Sequence, residues 1–218
     1  MRAREKLVQI IIFIILIVLY NPIYTAAETM YGVILPGGLV DNPYGEAPGG
    51  YQGVMKRYRI VDDFNYDGLD DVMISGGPHS FGNAGGCLDV FIDNGDGKYI
   101  KFPDYWCRPG FMVSEMKQPS IGLLTTYYRG GISGGSLLNY SVSTERIEYL
   151  SSKDLDFSIQ ENREYFHQLF SDSTKLKVDK GYCTEENGKI IWKSGWDIPQ
   201  DKVEDITPSD ATSTDLEK

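Results

Sequence analysis

Two histidines and three cysteines are all that this 218-residue chain carries of those types. That scarcity removes most of the groups from which zinc and thiol sites are built. Cys87, Cys107 and Cys183 match no zinc-ligand spacing. Three cysteines leave room for one disulfide and one further thiol. Cys87 with Cys107 is the expected pair, because a predicted hairpin lies between them; Cys107 with Cys183 is the alternative. A structural bridge is favoured over a catalytic thiol and suits an exported chain. Basic residues are also in short supply: 21 Lys and Arg stand against 31 Asp and Glu, a net charge of −10. That balance argues against nucleic acid and against anionic membrane surfaces as partners. The apolar run from Leu7 to Tyr20, broken only by Gln9, is shorter than the roughly 20 residues of a membrane span. Arg2, Arg4 and Lys6 precede it and Thr25-Ala26-Ala27 follows. It reads as a secretory signal peptide over residues 1–27, with an uncleaved anchor as the alternative. No cysteine follows the run, which argues against a lipoprotein. Removing Arg2, Arg4, Lys6 and Glu5 with the signal takes the charge to about −12, as an exported protein that meets cations or basic partners would carry.

What is present in abundance is oxygen donors in one short loop. Asp63-Phe64-Asn65-Tyr66-Asp67-Gly68-Leu69-Asp70-Asp71 places side-chain oxygens at alternate positions. Hard cations such as Ca²⁺ take six to eight oxygen ligands at about 2.3–2.6 Å. A loop that curls around one ion can direct every second side chain inward, and Gly68 permits the sharp turn. The loop is not an EF-hand: with Asp63 as the first position, the twelfth is Ile74 rather than a bidentate Glu. The flanking Tyr58–Val61 and Val72–Ile74 read as strands. An Asx-rich turn without metal accounts for the same residues, although its carboxylates would then repel one another.

Two linked motifs carry a resemblance. The acidic loop is followed by Val90-Phe91-Ile92-Asp93-Asn94-Gly95-Asp96-Gly97-Lys98-Tyr99, a strand, a tight turn and a strand. Together, residues 63–99 resemble one FG-GAP/VCBS repeat, the unit of integrin-type propellers and of many secreted bacterial proteins. The resemblance implies calcium ligands at Asp63, Asn65, Asp67 and Asp71, with Leu69 through its carbonyl. It covers about a fifth of the chain. A degenerate second copy follows over about 121–150, where Gly134-Gly135-Ser136-Leu137 aligns with Gly85-Gly86-Cys87-Leu88 and Tyr140 with Phe91. The second copy lacks the acidic loop, so one calcium site is expected. Two copies are too few to close a propeller of four to eight blades.

The remaining pattern is of short strands separated by glycines. The expected fold is mainly β: an antiparallel sheet sandwich, or a partial propeller-like half-barrel, with one short covering helix. Leu155, Ile159, Phe166, Leu169 and Phe170 recur at helical spacing and supply that helix, with Asp154 or Asp156 as its cap. Lys189–Trp192 reads as a strand after the turn signal Asn187-Gly188. A single domain spans 28–200. Residues 36–51 form a loop without apolar period that contains Tyr44 and Tyr51, and 201–218 form a polar acidic tail expected to be disordered.

No catalytic set stands out. Gly131-Ile132-Ser133-Gly134-Gly135 matches G-x-S-x-G, but a nucleophile elbow joins a strand to a helix, and both neighbours here read as strands. His167, on the polar side of the predicted helix, is the one histidine after Ser133; His79 lies in a loop. Tyr44 and the Tyr127-Tyr128-Arg129 edge are candidate protein contacts. The expected function is a non-enzymatic calcium-binding β protein, an interaction module of the bacterial envelope, periplasmic or secreted, with an unidentified protein partner. An immunity protein or inhibitor of a toxic enzyme is the alternative, and a serine hydrolase the remote one.

Overall fold

The computed structural model describes residues 37–46, 54–77, 81–82 and 85–198. The expected signal peptide, the acidic tail, Tyr51 and His79 lie outside the described residues. The fold is mainly β, with two antiparallel sheets that are not closed into a barrel and one short helix. The strands are β1 (Leu39–Val40), β2 (Lys56–Asp62), β3 (Asp71–Ser75), β4 (Phe81–Gly82), β5 (Gly85–Asp93), β6 (Tyr99–Cys107), β7 (Met112–Gln118), β8 (Ile121–Arg129), β9 (Gly134–Val142), β10 (Ile147–Asp156), β11 (Asp179–Glu186) and β12 (Lys189–Ser194). The helix α1 spans Gln160–Leu169.

The larger sheet has the order β1-β6-β5-β3-β2-β11-β12, with β4 added beside β5. The smaller has the order β10-β9-β8-β7. The 49-residue offset seen in the sequence takes the start of β5 at Gly85 to the start of β9 at Gly134. Each copy is therefore a three-stranded meander, β3-β5-β6 in one sheet and β8-β9-β10 in the other.

The central strand β3 is buried along its whole length, so Val72, Met73 and Ile74 do not alternate with polar residues. Both of its faces are covered. On one face Ile60, Met73, Val90 and Phe102 are in register across four strands and fully inaccessible. On the other, Val72, Ile74, Phe91 and Cys183 form a cluster against which Val40, Tyr44 and Trp192 pack. The aperiodic 37–46 segment is thus the cover of that face rather than a bare crossover. Its clamp is Asp89, nearly inaccessible, which faces Lys101 at 3.1 Å, while Lys101 Nζ donates to the Glu46 carbonyl at 2.7 Å.

The smaller sheet buries Val113, Tyr127, Leu137 and Leu155 under Phe170 and α1. Phe111, Phe157 and Phe166 complete an aromatic cluster, with the rings of Tyr127 and Phe166 4.8 Å apart. The helix starts later than its sequence pattern predicts. Leu155 belongs to β10, as do Asp154 and Asp156, so neither aspartate caps the helix. The N-cap is Ile159, without a side-chain hydrogen bond. Asn187 and Gly188 both adopt positive φ, 53° and 74°, as the two-residue turn requires.

The smaller sheet meets the 63–71 loop closely where β8 begins. A Cβ at Gly122 would run into the carbonyl of Phe64 and approach the Tyr66 ring. Only a hydrogen side chain allows that approach. Gly122→Ala is therefore expected to lower stability by about 1–3 kcal/mol, read from urea unfolding. Gly131→Ala, with nothing within 4 Å of the added methyl, is expected to unfold at the same midpoint as the unaltered chain.

Candidate functional site

The acidic loop connects β2 to β3, and its shape follows from its own short side chains. Tyr66 and Gly68 take positive φ, 59° and 93°. Asp63 accepts from the backbone N–H of Asp67 (Oδ1, 3.0 Å) and of Gly68 (Oδ2, 2.8 Å). Asn65 Oδ1 accepts from the same Asp67 N–H at 3.1 Å, and Asp67 Oδ1 accepts from Leu69 N–H at 3.0 Å. These are nested Asx turns. The oxygens of Asp63 and Asn65 meet at one amide, so the alternate positions do converge. Leu69 presents a partly exposed side chain beside Gly95.

Asp71 differs from the others because it is inaccessible to solvent. Its Oδ2 accepts from Phe64 N–H at 2.8 Å and its Oδ1 from Asp93 N–H at 2.9 Å. The carboxylate thus joins the start of the loop to the end of β5. Burial pushes its carboxyl up to about 8; the two backbone hydrogen bonds oppose that rise, while the charges of Asp67 and Asp63 add to it. Asn65 is equally buried and reaches across to the smaller sheet. Its Nδ2 donates to Asp67 Oδ2 at 2.8 Å and to Thr144 Oγ1 at 3.1 Å. Thr144 Oγ1 in turn donates to Asp67 Oδ2 at 3.3 Å. The β9–β10 turn of the second meander is therefore docked on the acidic loop of the first.

The donor set suits a hard cation. All side-chain donors are oxygens, and among the described residues no Lys or Arg pairs with Asp63, Asp67 or Asp71. Among the described residues no group of three or more His, Cys, Asp or Glu is gathered into a ready metal shell. The oxygens of Asp63, Asn65 and Asp67 accept from the loop amides, and each keeps lone pairs beyond those the amides use.

The other candidate residues are placed less openly than their sequence suggests. Tyr127 is buried beneath α1 and is unavailable to a partner. Two adjacent strand residues face opposite ways, and it is the neighbouring Tyr128 that is half-exposed. Arg129 Nε donates to the Gly131 carbonyl at 2.9 Å. Tyr44 is held from inside: Arg59 donates to its hydroxyl at 2.7 Å, and the guanidinium stacks on Trp192 at 4.8 Å. Arg59 also pairs with Asp179 at 2.7 Å. Burial alone would raise the Asp179 carboxyl, yet hydrogen bonds from Ser194, Trp192 and Arg59 hold it below the usual range. Nothing in the sequence pattern marked this Arg59–Asp179–Trp192 cluster, in which Arg59 and Asp179 are 120 residues apart in the chain.

No disulfide joins Cys87 to Cys107. The register explains it: Cys87 stands opposite position 106 and Cys107 opposite Gly86, so their side chains leave on opposite faces of the sheet. Cys183 is buried in the far cluster and does not bridge to Cys107. Burial pushes the Cys183 thiol up to about 11, and the Cys107 thiol further still. Ser133 sits in the exposed loop between β8 and β9, strand to strand, with Phe157 N–H donating to its carbonyl.

Comparison with protein-family models, with curated proteins and with solved structures finds no match.

The buried carboxyl sets a pH dependence. In chelator, the folded chain keeps a proton on Asp71 between its ordinary value, 3.8, and about 8, whereas the unfolded chain gives it up. Stability should therefore fall as pH rises through that window. Melting temperatures in EGTA are expected to drop from about pH 5 to about pH 8, by less in Asp71→Asn. Asp71→Ala, which leaves one buried and one partly buried N–H group unpaired, is expected to cost roughly 2–4 kcal/mol in urea unfolding.

Proposed function

We propose that this protein is a non-enzymatic interaction module of the cell envelope, exported and stabilised by one calcium ion in the 63–71 loop. The observation that carries the reading is the inaccessible Asp71 carboxyl, raised by burial and by the charges of Asp63 and Asp67 and without a basic partner among the described residues. A divalent cation would displace its proton and neutralise the neighbouring charges. Asp63, Asn65 and Asp67 would supply side-chain oxygens, Leu69 its carbonyl, and Asp71 the innermost carboxylate, as the FG-GAP/VCBS resemblance implies. The ion would act on the fold rather than on a substrate, because the loop it closes joins the two sheets through Asn65 and Thr144. A cation bound only by the folded state raises stability by mass action, about 2.7 kcal/mol at a hundredfold excess over Kd.

The partner-facing surface favoured by the geometry is the β8–β9 loop. Tyr44 and Tyr127 serve internal packing, which leaves Tyr128 and Arg129 at the foot of that loop. At its tip Ile132 is 96% exposed and offers an apolar contact.

Calorimetric titration of residues 28–218 with calcium is expected to give one bound ion. Melting curves should move upward in calcium relative to EGTA. In Asp63→Asn/Asp67→Asn, which keeps an acceptor oxygen at each position but removes both charges, that calcium-dependent increment should disappear. An unchanged increment in the double variant, or no heat of binding at millimolar calcium, would leave the loop as a network of Asx turns.

A further inference from the structure

The helix α1 covers only one end of the face it packs on. Beyond it, the sheet as floor and the helix as wall enclose a cleft of about 430 Å³. That volume lies within the roughly 300–1,000 Å³ usual for small-molecule sites. Register carries Val113, Thr125, Asn139 and Ser151 in one row across the four strands of the floor. The three polar members are chained. Thr125 Oγ1 donates to Asn139 Oδ1 at 2.8 Å, and Asn139 Nδ2 donates to Ser151 Oγ at 3.1 Å. Each keeps capacity to spare: Thr125 can still accept, Asn139 has a second amide hydrogen, and Ser151 has its hydroxyl hydrogen. A row that offers both donors and acceptors matches hydroxyl groups, which do both. Leu123 and Leu137 also line the cleft and offer apolar contact to the C–H faces of a ligand.

The rim adds a placed charge. Lys153 lies on β10 two residues after Ser151 and on the same face. Its ammonium stands 4.1 Å from the centre of the Tyr165 ring on α1. The ring attracts the cation and leaves N–H donors directed away from it. Glu115 lines the opposite side, on β7. Strands β7 and β10 are three strand spacings apart, about 14 Å, a span that suits two sugar rings. One fixed ammonium facing a distant carboxylate favours a singly charged anion over a phosphate, which Glu115 would repel more strongly.

We propose that this cleft binds an acidic saccharide, its hydroxyls on the Thr125–Asn139–Ser151 row and its carboxylate on Lys153. The charges set the direction: the acid end lies toward β10 and away from Glu115. The cleft shares no residue with the 63–71 loop or with the β8–β9 loop, so the inference stands without the calcium assignment.

Titration of the full chain with cellobiouronic acid and with digalacturonic acid, followed by the side-chain amide resonances of Asn139, tests the site. At least one of the two acids is expected to shift those resonances saturably at millimolar concentration. The corresponding neutral disaccharide should bind about five- to tenfold more weakly. Lys153→Met, an exposed position, should keep the melting temperature and the neutral binding but abolish the preference for the acid. Asn139→Ala should weaken acid and neutral sugar alike. The titrations should agree in calcium and in EGTA, which separates the cleft from the ion site. No saturable shift with either acid, succinate binding as tightly as the sugars, or an acid preference that survives in Lys153→Met would overturn the assignment.

Discussion

A single carboxylate without solvent contact fixes the geometry on which the fold depends. Asp71 accepts from Phe64 at the start of the acidic loop and from Asp93 at the end of β5. These bonds close the loop into one shape. The shape sets Phe64 into the interior and aims Asn65 at Thr144 in the opposite sheet. Gly122 then lets the two backbones approach. Each link is ordinary by itself. The arrangement is demanding because the anchor is a buried acid, whose charge is costly wherever it is not compensated. Neighbouring Asp63 and Asp67 raise that cost rather than relieve it. A loop built this way is sensitive to pH by construction.

Strand positions were legible where local chemistry decides them. The Asn187-Gly188 turn and the wholly apolar centre of β3 are signals carried within a few residues. Features set by distant partners were not. β7 was missed because its apolar half, Met112 and Val113, is followed by Ser, Glu, Met, Lys and Gln, which suit a solvated edge. Leu155 matched the helical spacing of Phe166 and Phe170, yet all three meet in one cluster from a strand and a helix. The expected disulfide failed on parity: nearness along a hairpin says nothing about which face a side chain leaves by, and one residue of register decides it. The acidic loop was found from spacing alone, but its connection to Thr144 needed the fold.

The molecule divides its charges unevenly. Acidic groups crowd the loop at the junction of the sheets, whereas Lys56 and Lys180 gather around Trp196 at the far strands. Both clusters are like-charged. Arg59 shows the alternative solution within the same sheet. Its charge is met internally by Asp179 and by the faces of Tyr44 and Trp192, leaving nothing for a partner to neutralise.

The larger sheet is assembled from both ends of the described chain, since β2 pairs with β11 and the whole smaller sheet is inserted between them. That connectivity has a kinetic consequence. Strands β7 to β10 make their contacts locally and can settle while synthesis continues, but one edge of β2 waits for β11. A nascent chain stopped before Asp179 would present the open edge of β2 and, beside it, the uncovered cluster around Ile74 and Phe91. Such premature-termination products would be candidates for edge-to-edge aggregation, whereas the finished chain closes that edge with its own C-terminal hairpin.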